Sequence, residues 1–155
     1  RYMNVYGPRQ DYKGAYIAVI MKMLDAIDKG ESPTIMGDGS EAFDFIAVED
    51  CALANICAMK ADTVDEQYNV GTVIRTSLKE LAEMIVYLTS CNKEIIYTDR
   101  SSATLVKNRI GDPKKASDDL NFNAKIRLEE GLKKLIDWRT NNIAEIKKSF
   151  EKFNL

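Results

Sequence analysis

The sequence predicts an α/β fold, and three observations carry that reading. Short apolar runs end at Gly or Pro, as residues 2–6 do before Gly7-Pro8. Longer segments repeat their apolar residues every three or four positions, the period of a helix face. The two kinds alternate along 155 residues, and strands separated by helices define the α/β class. With 45% hydrophobic and 30% charged residues, the chain has the makings of one buried core under a solvated surface.

Residues 2–6 form the first predicted strand. A helix follows over 12–29, with Ile17, Ile20, Met21, Leu24 and Ile27 on one face and Gly30 as its stop. Residues 34–36 read as a strand and 37–40 as a Gly-rich turn. A second strand is predicted over 43–48, with Phe45 and Ala47 on one side. Residues 50–59 are small and apolar nearly all round, which predicts a well-buried helix. Residues 67–70 read as a strand ending at Gly71.

Ser77-Leu78-Lys79-Glu80 has the form of a capping box, opening a helix that carries Leu78, Leu81, Ala82, Ile85 and Leu88. Residues 94–97 read as a strand, and 99–111 as a long polar loop containing Ser101, Ser102 and Arg109. Asp112-Pro113 predicts a helix start with Asp as cap. The last helix runs from about Leu128, with Glu129 and Glu130 in the first turn, where the macrodipole favours acids. Residues 140–155 form a separate amphipathic tail on which Ile143, Ile146, Phe150 and Phe153 recur at helical spacing.

Several function classes are excluded. A net charge of −2 argues against non-specific nucleic-acid binding. The longest apolar run, 15–21, is too short to span a bilayer. Three cysteines without Cys-x-x-Cys spacing argue against a disulfide framework or a zinc site, and a reducing cytoplasm fits best. The chain has no histidine, so His-based triads and His-ligated metals are out. Neither Gly-x-Gly-x-x-Gly nor a phosphate-binding Gly-x-x-x-x-Gly-Lys loop occurs. Loops rich in Arg, Asn and Asp suit a polar, phosphorylated ligand.

Four segments, in order, carry a resemblance: RYMNVYGPRQ, GDGSEAFDFIAVEDCALAN, YNVGTVIRTSLKELAEMI and RIGDPKKASDDLNFNAKIRLEEGLKKLIDW. Each motif is weak alone; the set and its spacing resemble the extended short-chain dehydrogenases, specifically the NAD-dependent nucleotide-sugar epimerases and dehydratases. The resemblance implies that residues 1–139 are the C-terminal, sugar-nucleotide-binding part of an extended Rossmann-type fold. It also implies a longer protein whose earlier half holds the Gly-rich dinucleotide loop and a Tyr-x-x-x-Lys pair. By the same token it implies NAD as cofactor, a UDP-sugar as ligand, and a homodimer for the intact protein. The rival reading is a non-catalytic sugar-nucleotide-binding or protein-interaction module.

Site residues follow by position. Asn4 matches the Asn that contacts the ligand phosphates, and Met3 the position whose backbone lies by the nicotinamide. Arg9 follows Gly-Pro as a bidentate phosphate or carboxylate binder, and Lys13 is a further cation of the same kind. Met36 lines the nucleotide base. Arg109 and Asp112, in Arg-Ile-Gly-Asp, match the Arg that binds diphosphate and the Asp beside the ribose. Phe43 departs from the pattern, which has Arg there, and Arg9 or Arg75 is expected to compensate. No catalytic or metal-binding residue is assigned. Asp44 is read as ordering a turn, and Glu49 and Asp50 as capping a helix, not as an acid–base pair.

Overall fold

Short β-branched and aromatic runs form strands here because main-chain neighbours pair with them, and the periodic segments close over those strands as helices. The computed structural model describes residues 1–10, 19–99 and 106–144. The predicted Lys13, Ser101 and Ser102 fall outside these, as do Ile17, Ile146, Phe150 and Phe153.

In chain order the elements are β1 (Asn4–Tyr6), α1 (Val19–Asp28), β2 (Thr34–Met36), β3 (Ala42–Phe43), β4 (Phe45–Ala47) and α2 (Val48–Lys60). They continue with β5 (Thr76–Ser77), α3 (Leu78–Leu88), β6 (Ile96–Thr98), β7 (Asn108–Arg109), α4 (Lys114–Leu120) and α5 (Leu128–Asn141). β1 pairs in parallel with β4, and β2 with β6. β3 is central in a third unit, antiparallel to β5 and parallel to β7.

The predicted strand over 43–48 is split. Asp44 interrupts it, so that β3 belongs to one sheet and β4 to another. β4 is buried on both sides rather than one, because β1, α2 and α5 all pack on it. The predicted strand over 67–70 is an extended segment held by one parallel bridge, Tyr2 to Val70. Met3 N–H donates to Val70 C=O at 2.9 Å while Asn4 N–H donates to Asp44 C=O at 3.0 Å. Successive N–H groups of a strand point to opposite sides, so β1 lies between these two neighbours.

The main core gathers Tyr6, Ile20, Met21, Leu24 and Ile35 with Leu81, Ile85, Leu132 and Leu135. Each such side chain contributes about 1.5–3 kcal/mol when withdrawn from water. A second cluster joins Ile46, Cys51, Ala54 and Val70 to Leu120 and Phe122 of the α4 region. The helix α2 differs from expectation: it buries only Asp50, Cys51 and Ala54. Ile56 and Met59 face outward, Met59 at 86% exposure. Small residues let one face of α2 lie close to its neighbours, and nothing described covers the other.

The helix ends follow the chemistry that predicts them. Ser77 accepts from the Glu80 N–H and Glu80 returns a bond to the Ser77 N–H, completing the capping box of α3. Glu129 and Glu130 occupy the first turn of α5. α5 is also tied to α1 through Arg139, which donates to Asp25 at 2.7 Å and Asp28 at 2.5 Å. Among the described residues no helix is long and apolar enough to cross a membrane.

Candidate nucleotide-sugar site

Asp44 is the pivot that joins two of the predicted site residues, Asn4 and Arg109. It sits where the chain leaves the β3 sheet for the β1–β4 sheet and is fully buried. Its N–H donates to the Arg109 C=O at 2.9 Å. Its own C=O accepts from the Asn4 N–H at 3.0 Å and from the Asn4 amide Nδ2 at 3.1 Å. Its carboxylate accepts from Thr72 N–H at 2.9 Å, Thr72 Oγ1 at 2.6 Å and Val73 N–H at 3.1 Å. Asp44 therefore orders a turn, as expected, but the turn is the distant 71–73 loop rather than its own.

Met3 adjoins the same point. Its side chain fills the space beside two glycines: a Cβ on Gly71 would stand 2.8 Å from Met3 Cγ and collide with Asp44 Oδ2, and one on Gly111 would stand 2.8 Å from Met3 Sδ. Contacts that close exclude any side chain at either position without displacement. Gly111 lies between Arg109 and Asp112, so Met3 seats the Arg-Ile-Gly-Asp turn directly.

Arg109 is exposed at the outer strand β7 and is the register partner of Phe43. Register partners share a face, so Phe43, Arg109 and the buried Thr76 lie on one side of this small sheet. Arg75 lies on the other, where Nε donates to Asn108 Oδ1 at 3.3 Å and Nη2 to the Ser40 C=O at 3.3 Å. The expected compensation of Phe43 by Arg75 would have to cross the sheet. Phe43 itself packs edge-on against Phe45, with ring centroids 6.2 Å apart, and joins the core.

Asp112 accepts from the Lys114 N–H at 2.9 Å. It caps α4 in effect, although Pro113 rather than Asp112 occupies the N-cap position. The Asp112 C=O accepts from Asn69 Nδ2 at 3.3 Å. Met36 is half exposed at the end of β2, beside the Gly37–Ser40 turn to which Arg75 is bonded. Arg9 is exposed and takes a left-handed backbone, φ 65°, in the loop after β1. The predicted loop over 99–111 contains β7 at its end; the pairing of Asn108 and Arg109 with β3 is a main-chain event without apolar periodicity to announce it.

Asn69, Thr72 and Asn108 are the polar positioning residues that sequence reasoning missed. Each bonds to a residue 28 to 43 positions away, beyond the reach of any local motif. The acids behave as the bland reading had it, with one change of partner. Asp50, also buried, accepts from the N–H groups of Lys125 and Ile126. It thus holds the segment before α5 instead of capping α2. Cys51 is shielded: burial first, then the Asp50 charge, pushes its thiol up to about 11. Burial, with Glu49, Asp50 and Glu130 adding, also holds the Tyr6 phenol well above its usual value. Tyr6 is thus a neutral core group.

The fold and sequence have counterparts among known proteins. The model of the "NAD dependent epimerase/dehydratase family" matches residues 1–71. A Methanocaldococcus jannaschii protein provisionally named UDP-glucose 4-epimerase is 39% identical over 142 residues, covering 92% of this chain and 45% of that protein. The UDP-N-acetyl-alpha-D-glucosaminuronate decarboxylase of Bacillus cytotoxicus is 31% identical over 143 residues, covering 89% of this chain and 44% of its own length. The crystal structure of UDP-glucose 4-epimerase from Thermotoga maritima, solved with UDP-glucose, superposes with a TM-score of 0.86 at 34% identity, covering 92% of this chain and 45% of that one. The chain thus spans a little under half the length of the relatives it matches. With its α/β architecture and the motifs that meet at Asp44, this chain belongs to the NAD-dependent epimerase/dehydratase family.

Proposed function

We propose that residues 1–139 are the nucleotide-sugar-binding half of an epimerase or dehydratase acting on UDP-sugars, working as a homodimer in the cytoplasm with residues 140–155 as an added helical tail. The observation that carries this reading is that Asn4 and Arg109 are bonded to one buried residue, Asp44, while the neighbouring Met3 packs on Gly111 of the Gly111-Asp112 turn. Arg109 stands exposed on β7, where its guanidinium can donate two parallel bonds to a diphosphate. Asn4 keeps a second amide N–H beyond the one given to Asp44. Asp112, exposed at the start of α4, offers a carboxylate to sugar hydroxyls, and half-exposed Met36 offers an apolar surface to a base.

NAD supplies the hydride chemistry in such enzymes. This chain fits only its margin. The resemblance sets only the Met3 main chain against the nicotinamide, and the Met3 N–H is already donated to Val70. No Gly-rich dinucleotide loop and no Tyr-x-x-x-Lys pair occurs in the sequence. The work assigned to these residues is therefore to bind and orient the sugar nucleotide while the rest of the enzyme moves hydride and proton.

Calorimetric titration of UDP-glucose into the full-length protein tests the reading. Arg109→Ala loses a charge-assisted contact of roughly 1.5–3 kcal/mol, which is a loss of affinity of about ten-fold or more. NAD binding is expected to stay unchanged. Normal UDP-glucose affinity in the variant would overturn the site.

A further inference from the structure

We propose that Asp44 is a positioning residue for nucleotide binding: its main chain and buried carboxylate fix the Asn4 strand, the Arg109 strand and the 71–73 loop in one arrangement. This rests on the substrate site proposed above. A carboxylate with no exposure is costly unless its oxygens are bonded. Filling the same space with an apolar side chain would cost less. The carboxylate makes a demand that an apolar group cannot: the 71–73 loop must present two N–H groups and one hydroxyl to it.

That demand is met with strain. Val73 adopts φ 66°, a left-handed backbone that a β-branched residue rarely takes without compensation. Gly71 must lack a side chain because the carboxylate occupies the place of its Cβ. The same residue, through its peptide groups, bonds to the Arg109 C=O and to both the N–H and the side-chain amide of Asn4. The orientation of the Asn4 amide is thereby set by Asp44. A loop that loosens around the carboxylate lets Asp44 shift, and Asn4 and Arg109 shift with it.

The test uses the full-length protein, with UDP as the titrant and NAD content as a control. Thr72→Val removes the hydroxyl that donates to Asp44 Oδ1 and accepts from the Ile74 N–H, without altering the covalent main chain. It is expected to weaken UDP about five-fold through the loss of these bonds, and Thr72→Ser to restore it. NAD content stays unchanged. Asp44→Asn places an NH2 against the Thr72 or Val73 N–H whichever way it turns, so its effect is larger. Since Thr72→Val carries the test by itself, a failure of Asp44→Asn to fold leaves it intact.

The deciding measurement is the combination with Asn4→Ala and Arg109→Ala together, the two residues that Asp44 holds. If Asp44 acts by placing them, Thr72→Val adds little to the loss already caused by removing both side chains. Wild-type UDP affinity in Thr72→Val, or a full independent five-fold loss on top of the double variant, overturns the positioning role while leaving the site intact. An Arg109→Ala protein with unchanged UDP affinity overturns the site itself and this proposal with it.

Discussion

Phe43 and Arg109 stand as register partners on neighbouring strands, and that pairing changes what an arginine at position 43 would do. If Arg9 or Arg75 has taken over the role of the Arg that the family pattern has there, Phe43→Arg is expected to be tolerated. The structure adds two costs: lost packing against Phe45 and the core, and a second guanidinium directly beside Arg109. Like charges at paired positions destabilise a sheet. Phe43→Arg is therefore expected to lower stability by about 1–3 kcal/mol without ligand, and to bind UDP more tightly, since a diphosphate neutralises both cations. Thermal unfolding with and without UDP checks this; a variant as stable as wild type that binds UDP more weakly would place the phosphates elsewhere. Arg109, Asp112 and Asn4 could be singled out as candidates because they sit inside short motifs. Their supports could not. The role of Thr72 and Asn69 depends on contacts between segments that only the fold brings together, and the partner of a buried acid such as Asp44 cannot be read from its neighbours in sequence.

Helices were the most legible elements because their ends carry local chemistry. The Ser77–Glu80 box and the acids at the start of α5 announce themselves within four residues. Strands of two or three residues have no such signature. Asp44 divides one predicted strand into β3 and β4, and β7 lies in what reads as loop. The helix α2 misled for another reason: small apolar residues all round suggest burial, whereas close approach needs them only on the Cys51–Ala54 side. Arg139 was invisible as a core group because a cation in the last turn of a helix has a sufficient explanation in the dipole. In the fold its side chain is 5% exposed and pairs with Asp25 and Asp28 of α1. Each carboxylate can partly stand in for the other. Asp25→Asn or Asp28→Asn alone is expected to be mild, while the double variant leaves a buried guanidinium without countercharge and costs about 3–5 kcal/mol. Denaturant unfolding of the three variants measures it. A double variant that costs no more than an exposed ion pair, about 0–1 kcal/mol, would mean that α5 is held to α1 by apolar packing alone.

At the scale of the whole molecule, binding and chemistry separate along the chain. The site proposed for a phosphorylated ligand lies around Asp44, and the buried phenol of Tyr6 and shielded thiol of Cys51 offer no proton donor or nucleophile to it. Asp44 and Asp50 are likewise occupied, each accepting main-chain N–H groups. A group committed in that way cannot also take a proton from a substrate hydroxyl without breaking the loop it holds. The 155-residue chain assayed alone with NAD and UDP-glucose is accordingly expected to yield no epimer, whereas the full-length protein turns over. Product formation is followed by chromatography of the sugar nucleotides. Epimer formed by the short chain above the no-protein control would show that a catalytic base lies among these residues, and the division of labour between the two halves would have to be redrawn.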